Sequence, residues 1–432
     1  MKKLLAVVMA SFLMLTACSS GGKDAASSGD AGSSGSSKEV TVWAWDPNFN
    51  IKALKIAQEK YNKTHPDVKI KIVEYAQADI IQKLNTGFNS GTTKGLPDAV
   101  LIEDYRAQGF IKSYPESFHE LGDKVKGSDF ADYKAGPTSL DGKQYGVPFD
   151  SGVAGLYIRT DYLKEAGYTL DDLKDIDWMQ FIEIGKKIKE KTGKKLVALD
   201  PNDLGIIRMM AQSAGSWYVK DDGVTPDLAD NAALKEAFKT YKAFMDADVA
   251  KMQSDWSQFL AAFNSGDVAA VPTGNWITAS VKAEASQSGK WAVVPLPKLA
   301  NVPNATHYSN LGGSSWYVLN TPAADAATDF LASTFGSDAD FYQTLNKEIN
   351  AIGTLNTAGQ GAAYQEADPF FNNQKLTSDF AEWTKEIPKV NYGVNTYAIE
   401  DIMIVAMQNF LNGADVDSVM KDAQAQAETQ VK

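Results

Sequence analysis

The stretch AAVPTGNW, residues 269–276, carries a short apolar run from Ala269 to Pro272 through a Gly into Asn275 and Trp276. Comparable side chains stand at the ends of other strand-like or helical runs. Trp45 and Asp46 follow EVTVWA, Asp104 and Tyr105 follow AVLIE, Asp150 follows YGVPF, and Trp217 with Tyr218 follow AQSAG. An indole or phenol ring offers an apolar surface on which the C–H face of a pyranose stacks, while Asp and Asn exchange hydrogen bonds with ring hydroxyls. Aromatics interleaved with Asp and Asn therefore have the chemistry to hold a polyhydroxylated ring. In open α/β sheets such groups meet a ligand outside the carboxyl ends of the strands.

Other chemistries find little support. His65, His119 and His307 lie far apart and form no H-x-x-x-H pair, so a histidine metal site is not indicated. Cys18 is the single cysteine, which rules out a disulfide within the chain and opposes a Cys-ligated metal. There is no Walker loop, no G-x-S-x-G elbow and no G-x-G-x-x-G, and no cofactor is implied. A formal net charge of -12, more negative once Lys2 and Lys3 are removed, repels phosphate backbones and opposes a nucleic-acid partner.

The elements that must position these side chains begin after a targeting segment. MKKLLAVVMASFLMLTACSS has two lysines, an apolar run from Leu4 to Leu15 and small residues before Cys18, the layout of a secretory signal over 1–17. Residues 18–37, rich in Gly and Ser, hold almost nothing large enough to bury and read as a flexible tether. From Lys38 onward the composition is that of a globular protein, and about 395 residues exceed what a single core usually supports, so two lobes are expected. EVTVWAW alternates as a strand, IKALKIAQEKYN places Ile51, Leu54, Ala57 and Tyr61 on one helical face, and alternation resumes at Val68, Ile70 and Ile72. LPDAVLIED adds a further apolar strand. A helix from Trp178 stopping at Gly193, a strand over 196–199 and a helix through Leu234, Phe238, Tyr241 and Met245 continue the alternation toward a second sheet.

Four stretches carry a family likeness. YGVPFDSGVAGLYIRTDYLKEAG (145–167), FNSGDVAAVPTGNW (263–276), WAVVPLPKL (291–299) and GGSSWYVLN (312–320) resemble, in that order, signature stretches of the extracellular solute-binding proteins of carbohydrate ABC importers. LTAC resembles the lipobox of bacterial lipoproteins, which implies cleavage before Cys18 and lipid modification of its sulfur. The resemblance implies an α/β, two-lobed periplasmic-binding-protein-like fold of type II, with a di- or oligosaccharide held in the cleft between lobes joined by several crossings. Carried onto this chain, the crossings fall near 146–152, 293–297 and 351–355. The N-terminal lobe then combines 38–148 with 298–350, and the C-terminal lobe 152–292 with 356–432. A monomer that hands its sugar to permease subunits, anchored to the outer face of the cell membrane, is implied. WAWDPNFN and LPDAVLIEDYRAQGFI resemble the branch handling lactose, arabinose or related plant-derived oligosaccharides.

The ligand-binding residues expected from spacing and resemblance together are Trp45, Asp46, Asp104, Tyr105, Asp150, Trp217, Tyr218, Asn275, Trp276, Gly313, Trp316 and Tyr392. Each has a structural alternative. Asp46 before Pro47 suits a turn or helix cap, Asp150 adjoins a crossing, Gly313 suits a bulge, and Trp316 lies inside a strand-like run. Trp256 opens an amphipathic helix with Phe259, Leu260 and Phe263 and is expected in the core. Two other function classes remain open. A secreted glycoside hydrolase needs only two carboxylates about 5–9.5 Å apart, and a surface adhesin needs no small ligand.

Overall fold

The structure, a computed structural model, describes residues 38–431; the expected signal segment over 1–17, Cys18 and the expected tether over 18–37 lie outside the described residues. Its strands run in chain order β1 (Lys38–Ala44), β2 (Val68–Glu74), β3 (Ala99–Glu103), β4 (Ser139–Leu140), β5 (Lys143–Gln144), β6 (Gly146–Pro148), β7 (Ala154–Arg159), β8 (Val197–Leu199), β9 (Ala250–Met252), β10 (Ala270–Gly274), β11 (Trp291–Val294) and β12 (Ser314–Val318). Five form one sheet in the order β2-β1-β3-β12-β6, with β1, β2 and β3 parallel and β12 antiparallel to both β3 and β6. Three form a second, antiparallel sheet in the order β10-β7-β11. The parallel pair β8-β9 joins the β10 edge of that sheet through a bridge from Lys195 to Val268.

The local reasons are those of the sequence. Parallel strands need helical crossovers, and the helices Asn50–Tyr61 and Gln77–Asn89 supply them. Alternate residues of β3 serve opposite faces: Leu101 packs with Leu54, Val147 and Phe330, while Val100 and Ile102 pack with Ile80, Leu84 and Phe110. Coverage on both faces is why AVLIE is almost wholly apolar. In the second lobe the helix Trp178–Thr192 begins with a reciprocal Asp177–Gln180 capping box and ends at Gly193, whose φ of 72° a side chain would disfavour. Trp178, Phe181 and Phe238 pack there against Leu156 and Ile158 of β7. The opposite face of β7 contributes Tyr157 to a core that runs without interruption from the first sheet into the second.

The first two chain passages between the sheets lie side by side, and the first-lobe segment around Gly353 runs along the first of them. Asp150 bridges Gly353, Val153 bridges Asn310, and Leu311 N–H donates to Gly152 O (2.8 Å). The second passage lies later than 293–297. Residues 298–310 find their backbone partners in the second lobe, where Lys298 pairs with Ile176 and Trp178 and Thr306 N–H donates to Ser213 O (2.8 Å). The chain re-enters the first sheet only at Ser314. Likewise 356–363 belongs with the first lobe, because Asn356 N–H donates to Asp129 O and Gln343 of the helix Ala339–Ile349 bonds Ala358 and Ala363. Buried polar backbone must be paired, and these partners decide where each segment goes.

Candidate functional site

A cavity of about 470 Å³ opens where the carboxyl ends of strands from both sheets converge. The end of β3 and the helix after it bring Glu103 and Arg106 to one wall. The second lobe supplies Arg208, Trp256, Trp276, Tyr397 and Glu400 to the other.

Trp276 reaches the cavity in two steps. β10 ends at Gly274 and one turn of 3₁₀ helix, Asn275–Ile277, follows. Gly274 has an ordinary extended backbone (φ -68°, ψ 155°), so turning freedom is not why it is glycine. A Cβ there would stand 2.3 Å from Trp276 Nε1 and 2.6 Å from Leu311 O. The missing side chain lets the indole fold back on the strand end, where its N–H donates to Leu311 O (2.8 Å). The ring stays half-buried and 5.7 Å from that of Trp256, so the two indoles form one tilted apolar platform. Trp256 departs from the sequence expectation: it is 49% exposed and lines the cavity, while Phe263, two turns on, takes the core position. It is the first residue of the helix Trp256–Asn264, after the Asp255 cap, and burial on that face grows along the helix from the partly buried Phe259 and Leu260 to the buried Phe263.

The polar walls are bonded into place. Arg208 pairs with Glu400 and with Asp203 (3.1 Å), leaving its buried Nε–H without a partner. Tyr397 donates to Glu103 Oε2 (2.6 Å), and the Arg106 guanidinium lies 3.7 Å over the Tyr397 ring. Burial pushes the Glu103 carboxyl above the usual carboxylate range, opposed by the Tyr397 hydrogen bond and the two arginines. These contacts join the lobes across the cavity mouth. The walls thus present donors and acceptors to hydroxyls around an aromatic platform, the two requirements of a pyranose.

Of the residues expected from sequence, Trp276 alone lines this cavity. Tyr105, Trp217 and Tyr392 pack ring against ring at 4.7–5.2 Å in a buried cluster behind the wall. Tyr105 Oη accepts from Gly312 N–H, Trp217 Nε1 donates to Thr396, and Tyr392 bonds Gln212 and Asn310. Tyr218 donates to Glu400 (2.9 Å) and so orients a wall carboxylate without facing the space. Trp45 is half-buried between two core clusters. Asp46 (φ 61°) accepts from the N–H groups of Asn48 and Phe49, spending its carboxylate on the turn into the following helix. Asn275 is buried beside the first crossing, its N–H bonded to Val153 O. Trp316 is a correction in kind. It is fully buried in the middle of β12, between β3 and β6, with Phe335 at 5.1 Å and Phe149 at 5.7 Å.

Asp104, Asp150 and Gly313 gather at the crossings instead. Asp104 pairs with Lys134 and accepts from Ser315 Oγ (2.8 Å), and Asp150 accepts from Ser314 Oγ (2.5 Å). Gly313 has φ 85° and stands where a Cβ would meet Asp104 Oδ2 at 2.9 Å. Lys134, Arg208 and Glu400 were not singled out from sequence; lone charges in polar or helical runs carry no local signal of burial. Among the described residues no group of three metal-ligating side chains is present.

Comparison with known proteins bears on the family and the fold. Residues 57–372 match the family described as bacterial extracellular solute-binding protein. The chain is 48% identical over 395 residues, 91% of its length and 93% of the relative's, to a lactose-binding protein of Rhizobium radiobacter. It is 25% identical over 351 residues to an arabinooligosaccharide-binding protein of Bacillus subtilis, covering 78% of this chain and 77% of that one. In fold it resembles the GacH receptor of Streptomyces glaucescens, solved unliganded and with acarbose (TM-score 0.77, 20% identity, 91% of this chain and 98% of that one). It also resembles a binding protein from B. animalis subsp. lactis solved with beta-1,6-galactobiose (TM-score 0.70, 21% identity, 90% and 96%). With two α/β lobes, a cleft between them and these relatives, the chain belongs to the bacterial extracellular solute-binding proteins, as a carbohydrate-binding component of an ABC importer.

Proposed function

We propose that the protein captures lactose or a closely related neutral galactoside disaccharide in the 470 Å³ cavity and releases it unchanged to permease subunits. The observation that carries this reading is the paired Trp256–Trp276 platform, with Arg208 and Glu400 on its own wall and Glu103 and Arg106 on the facing one. The 48% identity to a lactose-binding protein supports the choice of sugar. Ligand pockets span about 300–1,000 Å³, so a cavity near the lower end suits two sugar rings better than a long chain. Trp256 and Trp276 stack the rings, Arg208 Nε–H and the carboxylates hold hydroxyls, and the buried Tyr105–Trp217–Tyr392 cluster with Tyr218 stiffens the wall. The lobes are 38–148 with 314–366 and 154–310 with 367–431. The protein works as a monomer outside the cytoplasm, held to the membrane through lipid on Cys18.

Calorimetric titration against a panel of lactose, galactobiose, maltose and arabinobiose tests the reading, with chromatography of the recovered sugar. Saturable one-to-one binding of the galactosides with intact sugar recovered is expected. Turnover would instead support a hydrolase, and no saturable binding by any sugar would leave an adhesin.

A further inference from the structure

The most completely buried cation among the described residues belongs to no ligand wall. Lys134, in the short turn Asp132–Lys134, has no solvent exposure, and its ammonium meets Asp104 Oδ2, the carbonyl of Asp150 (3.0 Å) and the carbonyl of Ser314 (3.1 Å). An ammonium has three N–H donors, and all three are used. The acceptors come from three separate places: the end of β3, the first passage just after β6, and the residue at which the second passage enters β12. Asp150 and Ser314 are also tied to each other through Ser314 Oγ.

Just beyond these ties the backbone changes character. Gly152, Gly312 and Gly313 have φ of 58°, 76° and 85°. A Cβ on Gly152 would stand 2.7 Å from Gly313 N and 2.9 Å from Leu311 O, so the two passages cross there in backbone contact. Hinges consist of a few residues that absorb large changes of φ and ψ, and these glycines are suited to it.

We propose that Lys134 is the positioning residue of the hinge, pinning the first two passages to the first lobe so that on opening and closing these two bend only at Ser151–Val153 and Leu311–Gly313. This rests on the sugar-binding reading for its consequence, not for its geometry. With the pivot held, each closure returns Glu103 and Arg106 to the same place opposite Trp256 and Trp276. With it released, the lobes sample orientations that do not complete the site. Apparent affinity falls by the fraction of molecules in a competent orientation.

The test uses the full chain in a Cys18→Ser background, spin-labelled through Lys71→Cys and Lys187→Cys, both exposed and one in each lobe. Lys134→Met should broaden the interlobe distance distribution of the sugar-free protein and raise the Kd for lactose about tenfold. Asp104→Asn should keep the narrow distribution, because the amide oxygen still accepts from the ammonium. Lys134→Met with Asp104→Asn should remain broad, since it cures the unpaired charge but not the freed carbonyls. A narrow distribution in Lys134→Met, a double variant restored to wild-type width, or broadening without loss of affinity each overturns the proposal. Hydrogen exchange on the wild-type protein serves if Lys134→Met does not fold. Lactose should alter exchange around Gly152 and Leu311–Gly313 and leave Phe149–Asp150 and Ser314–Ser315 unchanged, whereas equal changes at both overturn it. If lactose alters nothing anywhere while Lys134→Met still broadens the distances, the sugar reading fails and the hinge assignment stands.

Discussion

Replacing Trp256 by Ala separates a ligand platform from a core residue. The side chain is 49% exposed, and a tryptophan carries up to about 250 Å² of buriable surface, so about 120 Å² faces solvent. A sugar ring laid on one face covers about half of that, about 60 Å², which at about 25 cal/mol per Å² contributes about 1.5 kcal/mol to binding. That is about a tenfold rise in Kd on truncation. The stability cost should be small, because what the fold loses is contact with Phe259 at 5.5 Å and Trp276 at 5.7 Å, not a filled core volume. A fully buried aromatic would cost about 3–5 kcal/mol; about 1 kcal/mol is expected here, since the ring is already half in water. Calorimetric titration with lactose gives the first quantity, and chemical unfolding without sugar gives the second. A variant that loses several kcal/mol of stability while its folded fraction binds with wild-type affinity would refute the reasoning and return Trp256 to the core.

Trp276→Ala should weaken lactose binding more than tenfold, since it removes the second indole of the platform and also strands Leu311 O, and lactose should alter intrinsic tryptophan fluorescence in the wild type but less in this variant. Unchanged affinity would exclude stacking on this ring. Trp316→Ala should do the opposite, costing about 3–5 kcal/mol in chemical unfolding while the folded protein still binds; a stable variant with lost affinity would contradict the core assignment. Burial pushes the Asp150 carboxyl up to about 6, so between about pH 4 and 6 the folded protein holds a proton that the unfolded chain has released. Its contribution is full below about pH 4 and is lost as pH rises through 6, at about 1.4 kcal/mol per pH unit and about 3 kcal/mol in all. Unfolding free energies of Asp150→Asn and wild type should therefore diverge over that range, and parallel curves would show that Asp150 does not titrate there. Cys18→Ser should move the protein out of the membrane fraction or leave its signal uncleaved, and an unaltered membrane-bound mature form would end the anchoring proposal.

The helices and strands were legible because their causes are local. Asp177 capping, Gly193 stopping and the spacing of Ile51, Leu54, Ala57 and Tyr61 act within a few residues of chain, and the structure has helices at Trp178–Thr192 and Asn50–Tyr61. Two α/β lobes and the family were legible for the same reason, since composition and short stretches such as AAVPTGNW carry them. Which aromatic faces the cavity was not. Trp316 lies inside a strand-like run and Trp276 just after one, yet β12 is flanked by β3 and β6 while the chain at Trp276 has left its sheet. Strand order is a long-range property, and it sends one indole into the core and leaves the other at the edge. Trp256 escapes the sequence pattern because amphipathic spacing reports a helix's apolar face, not how much of that face the rest of the fold covers. Lys134 gives the clearest division: in ADYKAG it is an ordinary lysine. Its partners lie 30, 16 and 180 residues away along the chain, and only the fold brings them within reach of one ammonium group.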